Sequence, residues 1–96
     1  MFSFQLCEAA IGFSLTSTVN TVTLTWTGED GHGYNELNIE LDGSLHGDPI
    51  PGSDFNTGGS EEMLDLISGT LYTVVVLDGI DEIWWESIYT GKLNQR

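Results

Sequence analysis

The stretch Leu66-Ile67-Ser68-Gly69-Thr70-Leu71-Tyr72, running on into Thr73-Val74-Val75-Val76, decides the fold of this chain. Ser68-Gly69 is a turn dipeptide. The residues after it are β-branched and aromatic, so they read as a strand that opens with a tyrosine. In a β-sandwich a tyrosine placed there buries its ring and returns its hydroxyl to a nearby backbone group, which locks a corner. Tyr72 and Leu66 are therefore expected in the core, with the Tyr72 hydroxyl tied back to the turn.

Upstream of this corner, Val22, Leu24 and Trp26 alternate with Thr21, Thr23 and Thr25. That period of two marks a half-buried strand with Trp26 on the core face. Gly28 to Gly33 is a loop by composition. Leu37, Ile39 and Leu41 alternate with Asn38, Glu40 and Asp42, and Asp42-Gly43 is a hairpin signal that lets Ser44 to His46 pair back as a short edge strand. Gly47 to Ser60 holds both prolines and four glycines, so it reads as a long surface loop. Glu61 to Leu66 is expected as a short strand, because Ser68-Gly69 stops the segment too soon for a helix. Phe13 to Ser17 is a further extended piece.

Downstream, Leu71 to Asp78 is a strong strand, Asp78-Gly79-Ile80-Asp81 a turn, and Glu82 to Lys92 a closing strand. At the start of the chain Phe2, Phe4 and Leu6 alternate with Ser3, Gln5 and Cys7, and Glu8 to Gly12 breaks the pattern. Residues 1–12 are thus expected as an N-terminal arm or extra strand, and 13–96 as the domain. Many short strands separated by turns imply an all-β antiparallel sandwich of about seven strands.

Laid out this way, the chain resembles a fibronectin type III domain, an immunoglobulin-like sandwich. Thr21-Val22-Thr23-Leu24-Thr25-Trp26 is similar to that family's second strand with its buried tryptophan. Leu66 through Tyr72 resembles its Leu-x-Pro-Gly-Thr-x-Tyr corner, with Ser68 in place of proline. Trp85-Glu86-Ser87 resembles the entry to its last strand. The resemblance covers roughly residues 13 to 91 and implies a binding, spacer or scaffolding module. It implies no enzymatic activity, and the Arg-Gly-Asp adhesion tripeptide of some members is absent.

Fifteen acidic residues face two basic ones, Lys92 and Arg96, for a formal net charge of −13. Such a chain repels nucleic acid and anionic membrane surfaces. Basic proteins, cations and neutral surfaces are left as partners. No apolar run reaches roughly 18 residues, so no helix is expected to span or insert in a membrane. Cys7 is the only cysteine, which excludes a disulfide within the chain. Met1 to Gly12 lacks a positively charged leader and contains Glu8, so it does not read as a secretory signal peptide.

For catalysis, His32 and His46 are the only histidines. Both stand in or beside glycine-rich loops without a nucleophile elbow, and they are expected to be exposed loop residues. Asp30 to Glu36 and Asp42 to Asp48 place oxygen ligands near glycines. Calcium is the cation such oxygens favour, but neither loop has the spacing of the EF-hand, and aspartate-glycine is ordinary turn chemistry. No cofactor and no metal site is therefore expected, with calcium at these loops as the alternative.

Trp84 and Trp85 are adjacent on a strand and must point to opposite faces. The outward one is a candidate interface anchor or sugar platform. If Tyr72, Val74 and Val76 face inward, Leu71, Val75 and Leu77 form an outward apolar stripe, which suggests a contact surface. Phe2, Phe4 and Leu6 are further interface candidates, able to join this sheet or to pack on a neighbouring subunit.

These features give a non-enzymatic structural or binding module that docks onto other structural proteins or onto copies of itself. By analogy, the expected setting is a virion: a bacteriophage capsid decoration, neck or tail protein, made in the cytosol without a signal peptide and extracellular after lysis. Two alternatives stand beside it. One is a DNA-mimicking inhibitor using its acids as phosphate surrogates. The other is a carbohydrate-binding adhesion module using Trp84 or Trp85 on a glycan.

Overall fold

The structure is a computed structural model, and it describes residues 11–91. Eight strands follow in order: β1 (Phe13–Ser17), β2 (Val22–Trp26), β3 (Glu36–Leu41), β4 (Ser44–Leu45), β5 (Ile50–Pro51), β6 (Gly59–Met63), β7 (Leu71–Asp78) and β8 (Asp81–Tyr89). All pairings are antiparallel. They form two layers, a small sheet β1-β2-β6 and a larger sheet β4-β3-β7-β8, with the two-residue β5 added to β3. No helix of the described residues is long and apolar enough to cross a membrane.

The period-two residues fill the space between the layers. Val22, Leu24 and Trp26 come from β2, Leu37 and Ile39 from β3, Met63 from β6, and Tyr72, Val74 and Val76 from β7. Ile11, ahead of β1, is already in this core. The Thr27 N–H donates to the Gly12 carbonyl at 2.9 Å, which ties residues 11–12 to the end of β2. Phe2, Phe4 and Leu6 lie outside the described residues.

The corner forms as the sequence implies. Tyr72 is buried, and its hydroxyl accepts the Ile67 N–H at 2.9 Å. Leu66 packs against the core from a half-buried position. A second residue, Thr90, fastens the same corner from β8's exit. Its hydroxyl donates to the Ile67 carbonyl at 2.6 Å and accepts the Thr70 N–H at 2.9 Å. Thr90 is the one polar residue buried among the described residues. Its bonds satisfy backbone groups that burial would otherwise leave costly.

The turns follow their local chemistry. Asp42 and Gly43 both have positive φ, +50° and +86°, as the two-residue type I′ hairpin between β3 and β4 requires. The Asp42 carboxylate also accepts the Thr73 N–H at 2.8 Å, extending the β3–β7 contact past the last ladder pair.

One expectation is corrected here. Gly47 to Ser60 is not simply a surface loop. Ile50–Pro51 pairs with β3, Gly52–Phe55 forms a 3-10 turn, and Gly59-Ser60 opens β6. Phe55 on that turn is fully buried, 4.6 Å from the Trp26 ring centroid and 6.2 Å from that of Phe13. Proline and glycine steer the backbone but do not stop one large ring between them from entering the core. The eight strands agree with the expected antiparallel sandwich of about seven, the two-residue β5 lying inside that segment.

Candidate docking face

The larger sheet has two chemically different faces. Its inner side carries Leu37, Ile39, Tyr72, Val74 and Val76. Its outer side is set by register. Leu45 opposes Glu40, Glu40 opposes Val75, and Val75 opposes Trp85. Residues directly opposite on adjacent strands point to the same side. The four therefore form one row across β4, β3, β7 and β8, facing away from the core. Next along the strands, the hydroxyls of Thr73 and Ser87 meet at 2.7 Å, and beyond them Leu71 opposes Tyr89.

This face exposes large apolar side chains. Trp85 is 61% exposed, Tyr89 64%, Leu45 66% and Leu71 46%. Val75 and Glu40 between them are half-buried. With strands about 4.8 Å apart and about 3.4 Å per residue along each, the patch is about 14 Å in each direction.

Trp85 points out because of a bulge. The register shifts between Val76, opposite Trp84, and Leu77, opposite Glu82, so Ile83 is the extra residue on β8. The bulge lets two consecutive residues, Ile83 and Trp84, both pack on the core. Trp84 lies 5.4 Å from Phe13, ring to ring, so it is not on the outer face.

Of the interface candidates, Leu71, Val75 and Trp85 are brought together. Leu77 lies outside the core cluster but is only 9% exposed, so it offers little surface to a partner. Tyr89 and Leu45 were not singled out in the sequence. The signal for Tyr89 is its even spacing from Trp85. For Leu45 it is the two-residue hairpin, which places it opposite Glu40.

The other candidate residues are used structurally. His32 is not an exposed loop residue: it is half-buried, stacked on Tyr34 at 5.4 Å and set edge-on to Phe55. Its Nδ1 accepts the Tyr34 N–H at 2.9 Å and its Nε2 lies 2.9 Å from the Gly52 carbonyl. Both ring nitrogens are thus occupied by backbone. His46 is also half-buried, with its Nε2 3.1 Å from Glu61, joining the end of β4 to β6. Among the described residues no group of three or more histidine, cysteine or acidic side chains is placed to hold a metal. A shallow cleft of about 460 Å³ lies between β5 and β6, with Trp26, Pro49, Pro51 and Gly59 in its lining. The Trp26 indole N–H there already donates to the Asp54 carbonyl at 3.2 Å.

No family model and no curated protein sequence matches the chain. Solved structures do. One is a computationally redesigned β-sandwich protein, 16% identical over 86% of this chain and 94% of its own, with a TM-score of 0.61. Another is the sensor domain of the anti-sigma factor RsgI4 of Pseudobacteroides cellulosolvens, 14% identical over 91% of this chain and 100% of its own, with a TM-score of 0.60. At these identities the likeness concerns the fold, and the fold is an antiparallel β-sandwich.

Proposed function

We propose that this chain is a non-enzymatic binding module that docks onto protein partners through the outer face of its larger sheet. The observation that carries the reading is Trp85, an indole 61% exposed in a patch with Tyr89 and Leu71. Polar residues are the rule on a solvent-facing sheet, and exposed aromatics are typical anchors of protein contacts. The sensor role of the RsgI4 domain is in keeping with recognition on such a sandwich. The split into β1-β2-β6 and β4-β3-β7-β8, together with the Tyr72 corner, supports a fibronectin type III arrangement within the sandwich class. The proposed setting is a virion, as a capsid decoration, neck or tail protein built onto other structural proteins. A single cysteine suits assembly in a reducing cytosol.

The test places a photo-crosslinking residue at Tyr89 on the outer face, or at Thr16 on the small sheet, in the native assembly. Crosslinks to a partner are expected from position 89 only, and equal yields from both positions would remove the assignment. Val75→Asp should abolish assembly while the isolated domain stays folded. Because Val75 is half-buried, the more exposed Trp85→Ala serves as its companion. A glycan-binding reading draws on the same indole, and a glycan array comparing wild type with Trp85→Ala would separate it from protein docking.

A further inference from the structure

The row Leu45-Glu40-Val75-Trp85 contains an acid where the docking face should be most apolar. Glu40 is half-buried in the middle of the sheet, with an exposed leucine on one side and a valine on the other. Its carboxylate makes no hydrogen bond or ion pair with the described residues. An apolar partner laid over this row would strip water from that carboxylate without replacing it, which is strongly unfavourable. The face therefore discriminates against purely apolar partners.

Resting on the docking reading above, we infer that this row takes an arginine of a basic partner segment, seated over Val75 between the Trp85 indole and the Glu40 carboxylate. Glu40 and Trp85 are two strands apart, about 10 Å at the backbone. A group above Val75 is thus about 5 Å from each, within the ~6 Å reach of a cation–π contact on one side and close to a carboxylate on the other. A guanidinium suits both, because it stacks flat on an aromatic face and presents a donor fork to a carboxylate.

The charge of the whole domain selects the same partner. Residues 11–91 contain no lysine or arginine and fourteen of the fifteen acids. A second copy docked by this face would bring a like charge of −13 and set Glu40 against similar acids. A basic protein segment gains from both the local site and the long-range field.

The experiment uses the full chain, labelled with nitrogen-15. It is titrated with a short extended peptide alternating arginine and valine, and in parallel with the same peptide carrying citrulline or lysine. Amide and indole shifts are read at low and high salt. The arginine peptide is expected to move Val75, Glu40 and the Trp85 indole, with about tenfold weaker binding for Glu40→Gln and for Trp85→Ala. Citrulline should bind at least tenfold more weakly, lysine should fall between the two, and high salt should weaken the arginine peptide. Both variants are checked for an unchanged unfolding midpoint. If arginine and citrulline peptides bind this face equally and Glu40→Gln changes nothing, the cation seat is wrong while the docking face stands. If the shifts scatter over acidic loops such as Asp30 or Asp48, or no peptide binds, the seat is overturned and the face loses its support.

Discussion

Phe55→Ala should be among the most damaging single substitutions in this chain. Phe55 is fully buried although it lies in a segment rich in proline and glycine. Its ring packs between Trp26 and Phe13 at 4.6 and 6.2 Å. Truncating a buried phenylalanine to alanine costs about 3–5 kcal/mol, depending on how far the surroundings collapse. Here collapse is hindered. The Gly52 N–H donates to the Asn35 carbonyl at 2.7 Å, and the Glu29 N–H donates to the Phe55 carbonyl at 3.0 Å, so the backbone holds its place. The cost should lie in the upper half, about 4–5 kcal/mol, against a total of about 5–15 kcal/mol for an ordinary domain. Urea unfolding followed by tryptophan fluorescence measures it, since Trp26 reports on the site directly. With a slope of about 2 kcal/mol per molar urea, the midpoint falls by about 2 M. Phe55→Leu, which keeps most of the volume, should cost under about 1.5 kcal/mol. A loss below about 1 kcal/mol for the alanine variant would refute the claim that this turn is clamped into the core.

Three other outcomes follow from the same geometry. Tyr72→Phe removes the acceptor of the Ile67 N–H and should cost about 1 kcal/mol, lowering the melting temperature by about 4–8 °C; an unchanged melting curve would mean the corner bond is idle. Gly52→Ala would drive a Cβ into the Tyr34 carbonyl, whereas Gly31→Ala meets open space and carries only the cost of its positive φ, about 1–2 kcal/mol. Denaturant midpoints should therefore rank Gly52→Ala well below Gly31→Ala, and the reverse order would contradict the close approach of β5's exit to residue 34. Trp85→Ala, on the open face, should leave stability within about 0.5 kcal/mol of wild type; a larger loss in calorimetry would make Trp85 a structural residue rather than a docking one.

Composition and period-two alternation by themselves define much of this protein. Val22-Leu24-Trp26, Leu37-Ile39 and Tyr72-Val74-Val76 announce core faces because side chains on a strand alternate sides whatever they later meet. The hairpin at Asp42-Gly43 and the turn at Gly79 are legible because positive φ is a demand on one or two residues. The tyrosine corner is legible because its hydrogen bond spans only five residues. The acidity, and the partners it repels, need no fold at all.

Packing settled the rest. Phe55 enters the core against Trp26 and Phe13, both far away along the chain. Thr90 became part of the corner through partners 20 and 23 residues distant. The bulge at Ile83 turned Trp84 inward and Trp85 outward, a choice that adjacency of two tryptophans left open. The row of Leu45, Glu40, Val75 and Trp85 joins four strands whose neighbourhood follows from sheet order and register. Local patterns say which way a side chain points on its own strand; what stands beside it depends on contacts between segments far apart along the chain.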